Sequence, residues 1–164
     1  MKTKMSFFVV LLLFTVVPLA QAETFTYPAD DPQFSITFPD DWTVEPDEQL
    51  LHAGPEDGTI YLGVWALAGA ENLDAALEAL DEALGNFFTE MELGEAEAME
   101  INDIPFVAVD GTGADKDGNE LDLSVALFLP DEDAVYILLY FGTADAEEAH
   151  EDELMSIVQS IVAE

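Results

Sequence analysis

The chain has 164 residues, with 36 acidic side chains against 3 lysines, no arginine and no cysteine. Without cysteine it has no disulfide, no thiolate nucleophile and no cysteine metal site. Without a basic surface it is excluded from nucleic acid and from anionic membrane surfaces, because neutralising phosphate takes lysines and arginines.

In chain order, Lys2 and Lys4 come first, followed by an uncharged apolar run over residues 6–18 (SFFVVLLLFTVVP) and then Ala20-Gln21-Ala22. A short basic stretch, an apolar run and a small-x-small site make a secretory signal peptide, with cleavage expected after Ala22. The apolar run is about a dozen residues, and a bilayer span needs roughly twenty. No cysteine follows it for lipid attachment. Residues 1–22 are thus expected to be a leader and residues 23–164 one soluble acidic domain, periplasmic or secreted, large enough for a real core. Lys116 is then the sole lysine against all 36 acids. Over a surface on the order of 7,000 Å² these charges stand about 14 Å apart. That is inside the Debye length of about 30 Å at 10 mM salt and outside the value of about 8 Å at physiological salt. A saline medium therefore suits the composition, and charged partners should be cationic.

Residues 34–38 (FSITF) alternate as a strand, Pro39-Asp40-Asp41 ends it, and Trp42 begins a turn. A short strand over 50–53 and one over 59–67, apolar on both faces, flank a Pro55-Glu56-Asp57-Gly58 hairpin turn. Leu73, Leu77, Leu80, Leu84, Phe87 and Met91 then recur at helical spacing, with Asn72 as N-cap and Asp74 in the first turn. Gly85 weakens the end of that helix. A strand over 92–99 follows. Strands over 106–112 and 121–129 enclose the hairpin tip Asp115-Lys116-Asp117-Gly118-Asn119. A turn at 130–133 leads to a strand over 135–141. The runs VALFL and VYILLYF, apolar on both faces, read as central strands covered on both sides. A last helix over 145–162 turns Leu154, Ile157, Val158 and Ile161 inward. The order predicts an α+β fold: an α/β/α sandwich with a central, mostly antiparallel sheet covered by two helices.

Three stretches resemble the PsbP-like fold superfamily, which takes in photosystem II PsbP-like domains and periplasmic DcrB-like domains. They are FSITFPDDW at 34–42, INDIPFVAVDG at 101–111, and the closing strand and helix with Ser160-Ile161. The resemblance spans nearly all of residues 23–164. It implies a non-catalytic binding or assembly module and transfers no catalytic residue. The near-absence of lysine and arginine removes a basic docking surface, and the missing cysteine separates this chain from lipoprotein relatives.

Little chemistry stands out beside this. Ser35, Ser124, Ser156 and Ser160 lie in strands or the last helix, and no nucleophile elbow is present. Carboxylate pairs for glycoside hydrolysis arise by chance among so many acids, and Trp42 and Trp65 read as core rather than sugar platforms. His52 lies in a short strand. His150 shares the inward edge of the last helix among acids, as a half-buried residue inclined to protonate or as a metal ligand. The tip Asp115-Lys116-Asp117-Gly118 fails the register of a calcium loop. Asp30-Asp31 and Asp40-Asp41 flank the first strand, and with Asp115 and Asp117 they are the candidate metal ligands. No cofactor is called for, and Ca²⁺ is the one ion these acids suggest. The leading reading is an exported, non-catalytic module adapted to salt, with an unidentified and cationic protein partner. The alternatives are a Ca²⁺-dependent binding protein and a small carboxylate-pair hydrolase.

Overall fold

The computed structural model describes residues 22–47, 49–132 and 134–164. Residues 1–21 of the leader read at 1–22, and Asp133 of the 130–133 turn, lie outside the described residues. The elements run β1 (Ala22–Tyr27), β2 (Phe34–Pro39), β3 (Trp42–Pro46), β4 (Leu51–Pro55), β5 (Ile60–Ala66), α1 (Leu73–Glu78), α2 (Leu80–Leu84), β6 (Glu90–Leu93), β7 (Glu97–Ile101), β8 (Ile104–Ala114), β9 (Glu120–Asp131), β10 (Ala134–Gly142), α3 (Ala144–Gln159) and β11 (Val162–Ala163). All pairings are antiparallel. The large sheet has the order β3-β4-β5-β10-β9-β8-β6, with β7 also paired to β8, and a small sheet has the order β1-β2-β11.

Period-two alternation sorts the large sheet into two faces. Leu62, Val64, Phe106, Phe128, Tyr136 and Leu138 face one side, with Phe34, Ile36 and Phe38 of β2 and Leu154 and Ile157 of α3 packed on them. Val109, Leu123, Val125, Leu127, Ile137 and Leu139 face the other, under Ala76, Leu80, Leu84 and Phe88. The central strands β9 and β10 are buried on both faces, as their continuous apolar runs require. The fold is α+β as expected. One layer is richer than two helices, however, because α3 shares its face with the small sheet. Phe34 anchors that sheet, its ring 5.0 Å from both Phe128 and Tyr136, and a buried phenylalanine contributes about 1.5–3 kcal/mol.

Several boundaries differ from the sequence reading. Trp42 opens a strand rather than a turn, because β3 pairs with β4 from Trp42↔Pro55 onward. The helix expected through Met91 ends at Leu84. Asn72 does cap it, its side chain accepting from Ala75 N at 2.9 Å, and Ala79 N shares its bond between Ala75 O and Ala76 O, both at 3.2 Å. Beyond Gly85, Phe87 stacks on Trp65 and Phe88 meets Phe141 edge-on, so sheet packing overrides helical periodicity. Met91 falls in β6. The strand expected at 92–99 is two, β6 and β7, both paired to β8. The last helix stops at Gln159, and residues 162–163 form β11. β1 went unread, although Thr24, Phe25, Thr26 and Tyr27 alternate.

The three stretches that carry the resemblance converge at the C-terminal end of α3. Ser160 Oγ accepts from Thr37 N of β2 at 2.8 Å and lies 2.6 Å from Ile157 O, to which it donates. Asn102 and Asp103 join β7 to β8 with φ of 51° and 65°. Both residues at positive φ define the two-residue turn that matches strand twist. From there Asn102 Nδ2 donates to Gln159 O at 2.9 Å and Ile161 O at 2.8 Å. The first carbonyl is that of the last residue of α3, where intrahelical partners run out, and the second lies two residues beyond it.

Candidate functional site

The acid doublets do not meet. Asp30 and Asp31 lie beyond one end of β2 and Asp40 and Asp41 beyond the other, and six strand residues separate the ends by about 20 Å. Asp115 is spent on its own turn. Its Oδ1 accepts from Asp117 N and Asn119 N, both at 2.9 Å, and its Oδ2 from Asn119 Nδ2 at 2.8 Å. These bonds, led by the one from the Asn119 side chain, hold its carboxyl below the usual range. Gly118 takes φ 82° in the same turn. Asp117 is exposed. Among the described residues no three histidine, aspartate or glutamate side chains are grouped to hold a metal ion.

His52 stacks on Tyr61 at 4.7 Å and sits 3.6 Å from Glu45. His150 is more deeply engaged, with 14% of its side chain exposed. Its Nδ1 lies 2.7 Å from Glu153 Oε2 and its Nε2 3.3 Å from Asp57 Oδ2. Trp42 Nε1 donates to the same Glu153 oxygen at 3.0 Å. Hydrogen bonding to Glu153, then to Asp57, raises the imidazole above its ordinary value. Burial works to raise the Glu153 carboxyl, but the bonds from Trp42 and His150 prevail and hold it low. With a carboxylate at each ring nitrogen, the imidazolium is the form that satisfies both. This ties α3 to β3 and to the β4–β5 turn. Trp42 is buried, as expected of a core residue, while Trp65 is half-buried against Phe87.

A recess lies elsewhere, beneath the outer stripe of α3, with a volume of about 720 Å³. Its floor comes from one cross-strand row. Asp110 of β8 pairs with Ser124 of β9, and Ser124 with Tyr140 of β10. Asp122 lies one inward-facing position along β9. These polar residues occupy the α3 face of strands that are otherwise apolar there. The Ser124 hydroxyl donates to Asp110 Oδ1. The roof is Glu147, Glu151, Leu154, Met155 and Val158 of α3, and Met99 and Ile101 of β7 close one side.

Electrostatics in this cleft are unfavourable to the empty protein. Burial raises the Glu147 carboxyl above the usual range, and Asp122, Asp110 and Glu151 raise it further. The Tyr140 hydroxyl is raised chiefly by burial, with Glu147, Asp110 and Glu151 adding to it and the Ser124 hydroxyl opposing. Sequence reading missed the cleft. Its one available signal was the polar residue at every second place in V-A-V-D and L-D-L-S-V-A, where an apolar face should continue.

No protein-family model and no curated protein matches the sequence. Solved structures do match the fold. The solution structure of cyanobacterial PsbP (CyanoP) from Synechocystis sp. PCC 6803 aligns with a TM-score of 0.63 at 11% identity, covering 91% of this chain and 96% of that one. LpqN of Mycobacterium tuberculosis, described as involved in cell envelope biogenesis, aligns at 0.58 and 16% identity over 87% and 91%. PA94 of Pseudomonas aeruginosa, a protein of unknown function, aligns at 0.50 and 15% over 86% and 81%. The fold is PsbP-like, as the three stretches implied.

Proposed function

We propose that this chain is an exported, non-catalytic binding or assembly module of a saline compartment, and that the cleft beneath α3 is where it receives a protein partner. The observation that carries the reading is the cleft itself. It is large enough for a ligand, and it joins apolar walls to unneutralised carboxylates. Support for export comes from the leader pattern at residues 1–22 and from the cell-envelope role attached to LpqN. Among the described residues no helix is long and apolar enough to cross a membrane. The polar groups in the cleft are acids, a serine bonded to Asp110, a tyrosine and Gln159, which suits recognition better than nucleophilic attack. With a single lysine outside the leader, phosphate-rich partners are repelled and cationic ones attracted.

The test is fractionation of the host with amino-terminal sequencing of the accumulated protein, joined to cross-linking from a photoreactive group placed at Met155. Recovery outside the cytoplasm with Glu23 as first residue, and an adduct to a second protein through Met155, is the expected result. An uncleaved cytoplasmic chain, or no adduct from Met155 while a control group at Asp31 gives one, removes the proposal.

A further inference from the structure

The cleft also says what kind of partner segment fits it. Two of the three large hydrophobic side chains exposed among the described residues, Met99 at 42% and Met155 at 53%, stand on its walls. Ile101, Leu154 and Val158 continue the apolar surface inward. Methionine is flexible and polarisable, and it adapts to irregular apolar surfaces that other side chains cannot follow. Beside this apolar surface stand Asp110 and Asp122 on the floor and Glu147 and Glu151 on α3. Nothing inside the protein neutralises them, for the one lysine among the described residues is Lys116 at the β8–β9 tip, which does not line the cleft.

Each half narrows the choice of occupant. The four carboxylates are not grouped to hold a bare metal ion, so they suit a larger cation with its charge spread over several donors. A small hydrophilic cation would leave the methionine wall unused, and an apolar ligand would bury carboxylates without partners, which is costly. A volume of about 720 Å³ admits several side chains. We infer that the cleft binds a basic amphipathic segment of a partner protein, its ammonium or guanidinium groups entering among Asp110, Asp122, Glu147 and Glu151 while its apolar side chains lie on Met99 and Met155. The inference rests on the proposed role as a binding module and specifies its partner. The raised Glu147 carboxyl fits it: burial is the main cause, and an incoming cation would relieve the repulsion from Asp122, Asp110 and Glu151 that adds to it.

The probe is a synthetic helical peptide of lysine and leucine with its charges on one face, compared with a scramble of the same composition. Binding is measured by fluorescence anisotropy in about 0.5 M NaCl, where diffuse attraction to an acidic surface is screened to a few ångströms. The protein is purified in the form its host accumulates, and melting curves confirm that each variant folds. The amphipathic peptide should bind about tenfold or more tightly than the scramble. Glu147→Gln with Glu151→Gln should each time lose about tenfold, as should Met99→Gln with Met155→Gln, a difference of about 1.4 kcal/mol per pair. Asp30→Asn with Asp31→Asn, which removes the same charge far from the cleft, should lose less than about twofold. Equal binding of peptide and scramble, or equal losses at the cleft and control pairs, overturns the inference. If the peptide fails while Met155 still cross-links a partner in the host, the binding-module reading stands and the basic amphipathic partner does not. If neither occurs, both fall.

Discussion

Replacing Asn102 separates two contributions that meet at one residue. Asn102 holds φ of 51° and donates to Gln159 O and Ile161 O. Asn102→Gly keeps the backbone conformation and removes both bonds. One is exposed and the other part-buried, and a net hydrogen bond contributes about 0.5–1.5 kcal/mol, so the loss should be near 1–2 kcal/mol. Asn102→Ala removes the same bonds and puts alanine in a left-handed position that asparagine tolerates better. That adds only part of the usual penalty of about 1–2 kcal/mol, for a total of about 2–3 kcal/mol. In the glycine variant, relief of that strain is offset by about 0.4–1 kcal/mol of extra freedom in the unfolded chain. For a domain of this size each kcal/mol moves the melting temperature by about 4 °C. Thermal melts followed by circular dichroism in about 1 M NaCl should therefore order the proteins as wild type, then Gly lower by about 6 °C, then Ala lower by about 10 °C. If Gly melts with or above wild type, the side chain does not cap α3. If Ala and Gly melt together, the turn is not held at positive φ.

The His150 clamp makes stability depend on pH. Because its pKa is raised in the folded state, its contribution is complete below the unfolded value near 6.5 and is lost as pH rises through the higher folded value. Denaturant midpoints should fall between neutral and mildly alkaline pH, and His150→Gln should flatten that fall; an unchanged slope refutes the clamp. Gly111→Ala would place a Cβ 2.5 Å from Glu92 O, a backbone atom of the paired strand, so β6 should detach from β8 with a loss of about 1–3 kcal/mol, read as faster amide exchange in β6. The melting temperature should climb smoothly with NaCl, and CaCl₂ at matched ionic strength should add nothing. A specific Ca²⁺ site at a hundred times its Kd would add about 2.7 kcal/mol, and a jump of that size would restore the calcium reading.

Elements with a sustained period were legible in the sequence. β2, β5, β8, β9, β10 and the buried stripe of α3 follow from alternation or helical spacing, and turns at Gly58 and Gly118 follow from their chemistry. What was not legible depends on distant partners. Trp42 looks like a turn residue until β4 pairs with it, and Phe87 continues a helical pattern until Trp65 draws its ring to the sheet. The cleft is the clearest case. Asp110, Ser124 and Tyr140 are spaced by 14 and 16 positions and become neighbours only through the β8–β9–β10 register. His150 could be placed on the inward edge of its helix, but Asp57, which completes its clamp, lies 93 residues earlier. The carboxylates that sequence could propose were the adjacent ones, and adjacency in a turn places both in water.

The closure of the small sheet bears on when this protein can fold. β2 lies between β1 and β11, Thr37 is bonded to Ser160 across 123 positions, and Glu164 N reaches back to Gln33 O. The first strands emerge early from the ribosome, yet they cannot complete their sheet until residues 160–164 have been synthesised. Contacts of such long sequence separation are slow to form. Once folded, the same arrangement stitches the two ends of the domain together, so fraying at residues 162–164 should loosen β2 rather than stay local.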